Sequence, residues 1–313
     1  MGFFNSLPRG DSTSLSAHSS CGSPPRGNSA PCTRGGAVRP EAVIDRGAMA
    51  HNLGRVRALA PGRKVMAVIK ANGYGHGLLR VAEALQGADA FGVARLEEAL
   101  ALRDGGIRQR LVLLEGVFSG EELESALRHR LDTVLHDRHQ LQVLAAHREA
   151  ARLSVWLKVD TGMNRLGFRP EEVTEVLAAL RHMPVVGEIL LMTHLACADR
   201  QEGEETPLQL ERFASVSRGF GGELSVANSA GILAWPDSHG HWVRPGLMLY
   251  GASPFEGRDG EAFGLRPAMT LRTRLLAIRE LRAGECVGYG GSWRAPEAMR
   301  LGVAAIGYGD GYP

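Results

Sequence analysis

The chain has 313 residues, of which 44% are hydrophobic and 22% are charged, values that are typical of globular proteins. The net charge of +2 gives no strong field to attract nucleic acid or an anionic membrane. All apolar runs are far shorter than the roughly 20 residues that cross a bilayer. Four cysteines are too few for a disulfide scaffold, so we expect a large hydrophobic core instead.

Residues 1–37 differ in composition from the rest, because eighteen of them are Gly, Ser or Pro. They show no apolar periodicity, and we therefore predict a disordered extension. Their basic, Ser-rich character leaves a targeting peptide as the alternative. The segment lacks the continuous apolar core of a secretory signal, so we expect reduced cysteines and a cytoplasmic protein.

From residue 38 onward, short apolar runs alternate with stretches that have the apolar spacing of helices. Each run has four to eight residues and is rich in Val, Leu and Ile, as buried parallel strands are. The runs cover 65–69, 90–94, 111–114, 132–135, 154–159, 188–193, 224–227 and 243–250. Eight such runs predict a closed (β/α)8 TIM-like barrel over residues 38–265, with an open doubly wound sheet as the alternative.

After residue 265 the pattern changes to one typical of antiparallel β structure. Residues 268–281 alternate partly between apolar and polar side chains, glycines then interrupt the chain, and 301–306 is a further apolar run. This α/β protein is therefore predicted to continue into a mostly β C-terminal domain over residues 266–313. A first strand within residues 40–46 would join that domain.

Polar side chains follow the predicted strands at their C-terminal ends, where barrel enzymes carry their chemistry. The polar residues at these ends are Lys70 and Tyr74, Lys158 and Arg165, His194, Asn228 and Ser229, and Arg244. Gly246 and Leu247 follow Arg244 at the eighth predicted strand. The eleven histidines lack neighbouring ligands at metal-binding spacing, and we expect no metal site.

Lys70 is the first candidate for chemistry, because five apolar residues precede it directly. A lysine amine is costly to bury, and a partly buried amine becomes a usable nucleophile towards a carbonyl group. The alternative is a lysine at a strand end that reaches solvent along its flexible side chain. From this motif alone, the two interpretations are equally supported.

Seven ordered motifs resemble those of alanine racemases. They lie at residues 65–77, 158–168, 193–196, 228–231, 244–251, 287–290 and 307–312. The resemblance covers residues 38–313 without large gaps. It implies pyridoxal 5'-phosphate as cofactor, an eight-stranded barrel followed by a β domain, and a homodimer whose active sites use residues of both chains.

The same resemblance implies a role for each candidate residue. Lys70 would hold the cofactor as an internal aldimine and exchange a proton on one face of the substrate, and Tyr289 of the second subunit would serve the other face. Racemisation needs two such groups, because the proton leaves Cα on one side and returns on the other. The cofactor-binding residues would be Lys70, Tyr74, His194, Asn228, Ser229, Arg244, Gly246 and Leu247.

Within that set, Tyr74, Ser229 and the backbone at Gly246 and Leu247 would hold the phosphate. Arg244 would donate a hydrogen bond to the pyridine nitrogen, and His194 and Asn228 would support it. For the substrate, the resemblance implies Arg165 at the carboxylate and Tyr308 at the entrance. Lys158 matches a family lysine that can be carbamylated and then supports Arg165.

The implied activity is interconversion of L-alanine and D-alanine, which would supply D-alanine for peptidoglycan. The alternatives are a broad-specificity amino-acid racemase, a decarboxylase of related fold, or a non-catalytic cofactor-binding protein. Family members continue beyond the position that matches Pro313. We therefore expect a C-terminally truncated chain, unstable or weakly active, with an inactive cofactor-binding fragment as a further alternative.

Overall fold

The computed structural model describes residues 39–150 and 152–312, so the extension predicted over residues 1–37 lies outside the described residues. A closed barrel of eight parallel strands forms the centre of the molecule, which confirms the predicted fold class. Strand β1 (Glu41–Ile44) precedes the barrel. The barrel strands are β2 (Lys64–Val68), β3 (Ala90–Val93), β4 (Arg110–Leu113), β5 (Leu131–Leu135), β6 (Leu153–Lys158), β7 (Val186–Met192), β8 (Leu224–Ser225) and β9 (Trp242–Val243).

Helices surround the barrel and connect its strands. The longer helices are Arg46–Leu59, Leu78–Ala84, Leu96–Asp104, Gly120–Arg128, Arg138–Ala146, Val173–Arg181, Glu205–Ser217 and Ser229–Ala234. Several begin at a side-chain cap: the Asp45 carboxylate accepts a hydrogen bond from Ala48 N–H at 2.9 Å, and Ser119 and Asp137 act in the same way. No helix within residues 39–150 and 152–312 is long and apolar enough to cross a membrane.

The barrel strands are continuously apolar because both of their faces are buried. Alternate residues such as Met66, Trp156 and Trp242 form one cluster to which every barrel strand except β8 contributes, and this alternation places them inside the barrel. Their neighbours, such as Ala67 and Leu157, pack in the second cluster with the helices. Inside the barrel the rings of Trp156 and Trp242 pack edge to face, with 5.3 Å between their centres.

A partly buried group of ion pairs lies near the N-terminal ends of β4, β5 and β7. Arg110 pairs with Asp132 and with Glu188, and the Trp156 indole N–H donates to Asp132 at 2.7 Å. Burial raises the pKa of the Asp132 carboxyl, although the neighbouring Arg110 guanidinium opposes this change. The charge of Arg110 also lies 5.5 Å from the centre of the Trp156 ring.

The eighth predicted strand is wrong in its length. The run at 243–250 contains only the end of β9, and Leu247–Tyr250 is a short 3-10 helix. Pro245 cannot donate to a ladder and Gly246 has φ −125° and ψ −88°, which turns the chain away from the barrel. The strand predicted at 224–227 is likewise longer than the observed strand, since β8 ends at Ser225.

Antiparallel strands follow the barrel, in the region predicted to be mostly β. They are β10 (Met269–Arg272), β11 (Leu275–Leu281), β12 (Cys286–Val287), β13 (Trp293–Arg294) and β14 (Met299–Ala304). Strand β1 pairs with β10, β11 with β14, and β12 with β13. Strand β11 leaves large apolar side chains in solvent, with Leu275, Leu276 and Ile278 each more than half exposed.

Candidate active site

A cavity of about 640 Å³ opens at the C-terminal ends of the barrel strands. Its wall brings together all ten barrel residues that the sequence singles out. These residues are Lys70, Tyr74, Lys158, Arg165, His194, Asn228, Ser229, Arg244, Gly246 and Leu247. A volume in this range suits a small organic ligand, and five of the ten side chains are basic.

Lys70 follows β2 by two residues, and its side chain is half-buried in the cavity wall. The backbone from Ala71 to Tyr74 then winds in the left-handed sense, with φ between +53° and +63° at all four residues. At Gly73 this turn comes close to the next helix, where an added Cβ would lie 2.7 Å from Val81 Cγ2. Lys70 and Tyr74, which lie at the two ends of this turn, therefore both line the same cavity.

Arg244 is the most buried charge at the site, with 3% of its surface exposed. Its guanidinium donates to Thr193 O at 2.5 Å, Val226 O at 3.2 Å and Ser225 Oγ at 2.7 Å. None of these partners is a carboxylate. Burial lowers the pKa of Arg244 to about 10, which still leaves it cationic at neutral pH.

His194 accepts the fourth hydrogen bond from Arg244, at 3.2 Å to Nδ1. Because a guanidinium only donates, this bond places the proton of the neutral imidazole on Nε2. Burial, followed by the charges of Arg244 and Lys158, holds the pKa of His194 well below its ordinary value. The imidazole is therefore neutral at physiological pH.

Lys158 ends β6 on the same side of the cavity, with 8% of its surface exposed. Burial and then the charges of Arg244 and Arg165 lower its pKa to about 8, while Asp160 opposes the change. A substantial fraction of this amine is consequently neutral near pH 8. Neutral amines are nucleophilic, so the side chain is unusually reactive for a lysine.

A loop held by its own side chains carries Arg165. The Asp160 carboxylate accepts from Gly162 N–H and Asn164 N–H, each at 3.0 Å. Gln209 joins this loop to the end of β7, since its side-chain amide donates to Thr161 Oγ1 and to His194 O, each at 3.1 Å. Gln209 thus fixes the wall of the cavity without lining it.

The far side of the cavity is built around two hydroxyl groups and a glycine. Ser229 Oγ accepts from Gly246 N–H at 3.0 Å and from Met248 N–H at 3.3 Å. The Tyr74 hydroxyl lies so close to Gly246 that an added Cβ would meet it at 2.7 Å. Asn228 caps the following helix by accepting from Gly231 N–H at 3.0 Å. The hydroxyl groups of Ser229 and Tyr74 and the backbone at Gly246 are therefore groups that an anion could contact on this side of the cavity.

Several residues at the site are absent from the sequence-based candidates. Tyr250 lies within a recognised motif, and its ring stacks on Tyr74 with 4.8 Å between the ring centres. Leu114 and Glu115 line the cavity because they follow β4, a position that the rule for strand ends would have selected. Gln209 lies on a helix and only the three-dimensional structure reveals its contacts.

Tyr289 and Tyr308 are not part of this cavity. Both follow the barrel in sequence, at the short 3-10 helices Tyr289–Gly291 and Tyr308–Asp310, and both are almost fully exposed. Within a single chain, the described residues therefore place the ten barrel candidates together and leave these two tyrosines at the surface.

The fold and the cavity together are typical of (β/α)8 barrel enzymes. In this class the active site lies at the C-terminal ends of the strands, where this chain has a basic cavity with a lysine just after the first barrel strand. Residues 44–254 match the family model for the alanine racemase N-terminal domain, and residues 268–313 match that for the C-terminal domain. The chain therefore belongs to the alanine racemase family, as the sequence motifs predict.

Individual relatives agree with this assignment. The alanine racemase of Shewanella sediminis is 52% identical over 275 residues, covering 88% of this chain and 77% of the relative. The alanine racemase of Nitrosococcus oceani is 54% identical with the same coverage. The crystal structure of the biosynthetic alanine racemase of Pseudomonas aeruginosa has a TM-score of 0.84 at 42% identity, covering 88% of this chain and 77% of that one.

Proposed function

We propose that this protein is a pyridoxal 5'-phosphate-dependent alanine racemase, an isomerase that interconverts L-alanine and D-alanine and supplies D-alanine for peptidoglycan. The observation that carries the proposal is the cavity in which Lys70 and Tyr74 share a wall with the buried, cationic Arg244. Membership of the alanine racemase family supports it. The two free cysteines of the described residues, Cys197 and Cys286, suit the reducing cytoplasm in which we expect the enzyme.

The cavity fits the proposed cofactor on two points of its chemistry, the covalent attachment and the phosphate. Lys70 supplies an amine that can bind an aldehyde covalently. The Tyr74 and Ser229 hydroxyls and the backbone at Gly246 and Leu247 would hold the phosphate, and no side chain at Gly246 fills the space beside Tyr74. When bound, pyridoxal phosphate supplies the electron withdrawal that makes the Cα proton of an amino acid removable.

Arg244 would donate to the pyridine nitrogen of the cofactor. The Nε atom suits this role, because the hydrogen bonds of Arg244 within the described residues all use its other two nitrogens. A guanidinium does not readily give up its proton, so the ring nitrogen would stay unprotonated. His194 and Asn228 would support this arrangement, and His194 does so here as a neutral acceptor.

Two groups on opposite faces of Cα would move the proton. We propose that Lys70 serves one face and that Tyr289 of a second subunit serves the other. The full exposure of Tyr289 and the apolar surface of β11 support a homodimer, because both suit contact with another copy. Arg165 would bind the substrate carboxylate, and Tyr308 of the partner chain would lie at the entrance.

Mixed dimers test the shared active site together with the reaction. We expect Lys70→Ala and Tyr289→Phe each to reduce racemisation by at least about a hundredfold. When the two variants are unfolded, mixed in equal amounts and refolded with cofactor, half of the dimers are mixed and each has one intact site. Racemisation should return to about a quarter of the wild-type rate, as symmetric shared interfaces require.

The matched control for the mixing experiment is Tyr312→Phe, an exposed tyrosine outside the proposed machinery, which should retain wild-type activity. Recovery that fails while each variant still dimerises would contradict a shared site. An unmutated holoenzyme that exchanges no alanine α-proton with deuterated water would contradict the proposed reaction. Equal rates with serine or lysine would indicate a racemase of broad specificity.

We also propose that Lys158 carries a carbamate that supports Arg165. Only the neutral amine reacts with carbon dioxide, and the lowered pKa of about 8 provides it. With dissolved carbon dioxide held constant, the carbamate should increase as the pH rises through about 8. Carbon-13 NMR with labelled carbon dioxide should show a protein-bound signal that Lys158→Met abolishes, whereas Lys64→Met at the opposite end of the barrel should retain it. A signal that survives Lys158→Met would contradict the assignment.

A further inference from the structure

The backbone that follows Lys70 is strained. Ala71, Asn72 and Tyr74 are left-handed, with φ of 54°, 54° and 53°, although each carries a side chain. In this conformation Cβ approaches the following carbonyl oxygen, which costs free energy for every residue except glycine. Such strain persists only where surrounding contacts hold it.

Two of the proposed cofactor ligands lie at the ends of this left-handed turn, which we define as residues 70–74. Lys70 begins the turn with its amine at the cavity, and Tyr74 ends it with its hydroxyl against Gly246. The distance between the amine and the hydroxyl is therefore set by the conformation of the three residues between them. Relaxation of the turn to an ordinary conformation would move one group relative to the other.

A carboxylate from outside the cavity holds the turn. Glu98 lies half-buried on the helix Leu96–Asp104 and accepts a hydrogen bond from Asn72 N–H at 3.1 Å. Its other oxygen accepts from Ala94 N–H at 2.9 Å, directly after β3. Glu98 thus joins the turn after β2 to the end of the neighbouring strand.

The remaining contacts of the turn come mostly from its own residues. Asn72 Oδ1 accepts from Leu78 N–H at 2.9 Å, and Asn72 O accepts from Gly77 N–H at 2.9 Å. Among the described residues, two side chains from outside residues 70–74 hydrogen-bond to their backbone: His76, from the loop that follows, contacts Gly73 O and Tyr74 O, and Glu98 contacts Asn72 N–H. Of these two, only Glu98 also binds the chain directly after β3. Loss of this carboxylate would therefore leave the strained turn without its link to β3.

We propose that Glu98 is a positioning residue, whose carboxylate keeps residues 70–74 left-handed and so sets the spacing between Lys70 and Tyr74. The inference rests on the proposed function, because that spacing matters only if both residues bind one cofactor. Both carboxylate oxygens accept a backbone N–H, which a glutamine amide cannot reproduce: its nitrogen would face one of the two donors.

The variant Glu98→Gln tests this role, with Glu97→Gln as the matched control. Glu97 precedes it on the same helix and is exposed, and within the described residues it forms no side-chain hydrogen bond or ion pair. In Glu98→Gln we expect cofactor affinity to fall about tenfold, since the Asn72 N–H of the strained turn loses a charged acceptor. Amide exchange of residues 71–74 in the cofactor-free protein should become faster by a similar factor.

A second substitution separates positioning from a general loss of stability. Ala71→Gly removes the conformational cost at an exposed position of the turn, because glycine is left-handed without strain. In the Glu98→Gln background it should recover part of the cofactor affinity and slow the exchange of residues 72–74. A variant that is merely less stable elsewhere would not respond to this change.

The proposal is overturned if Glu98→Gln matches Glu97→Gln in both cofactor affinity and exchange, or if Ala71→Gly recovers neither. Failure of the proposed function looks different. In that case the unmutated protein would bind no pyridoxal phosphate at Lys70, whereas the exchange difference in the cofactor-free protein would remain and would support the role of Glu98 in holding the turn.

Discussion

Replacing Lys70 with alanine should abolish covalent binding of pyridoxal phosphate and reduce racemisation by at least about a hundredfold. The amine is both the proposed attachment point and one of the two proposed proton carriers, and proton transfer alone typically contributes about two to four orders of magnitude. The substitution should leave the fold intact, because Lys70 is half-buried and follows a strand whose buried residues, 65–68, contribute to the core without it. The direct readout is loss of the visible absorbance band of the bound cofactor.

The chain offers an unusually clear control for this result, because it contains only three lysines, Lys64, Lys70 and Lys158. Borohydride reduction of the holoenzyme should fix the cofactor permanently, and peptide mapping should then find it on Lys70. Lys64 lies at the opposite end of β2, paired with Glu223 at 2.5 Å, and should remain unlabelled. Label on Lys158 would mean that this buried amine is the attachment point, which would contradict the assignment.

The barrel could be predicted from the sequence because its strands are buried on both faces. A parallel strand enclosed by helices outside and side chains inside reads as a short apolar run, and β2 to β7 all fit this pattern. The last two strands, β8 and β9, fit the pattern poorly because each has only two residues. The apolar runs that contain them continue to buried residues outside any strand, such as Ala227 and Met248. Apolar sequence records burial, and it distinguishes strand from turn only through residues such as Pro245.

The candidate site could be predicted from the sequence by a different rule from the one that predicts the barrel. The rule that chemistry lies at the C-terminal ends of barrel strands selects Lys70, Lys158 and His194, and the cavity contains all three. Contacts that support them from helices follow no such rule. Gln209 is separated from Thr161 by 48 residues, and Glu98 from Asn72 by 26, so neither pairing has a local signature.

The charge of Arg244 lowers the pKa values of two neighbouring side chains, Lys158 and His194. It is the first charged cause of the lowered pKa values of both Lys158 and His194, after burial itself. Its own partners are carbonyl and hydroxyl oxygens and one imidazole nitrogen, so no opposite charge reduces this effect. A neutral side chain in its place should therefore raise both pKa values towards their ordinary range.

Arg244→Gln should destabilise the protein by about 3 kcal/mol, because the carbonyls of Thr193 and Val226 lose charged donors in a buried place. Racemisation should fall at least about a hundredfold, and NMR titration should show the pKa of His194 rising as the positive charge is removed.

The matched variant Arg244→Glu loses the same contacts and adds a carboxyl group that can share a proton with the pyridine nitrogen of the proposed cofactor. Only Arg244→Glu should therefore form pyruvate from alanine faster than the unmutated enzyme, since a protonated ring withdraws electrons more strongly. Equal pyruvate formation in the two variants would mean that the charge at residue 244 does not control the proposed cofactor, and an unchanged His194 titration would contradict the electrostatic coupling.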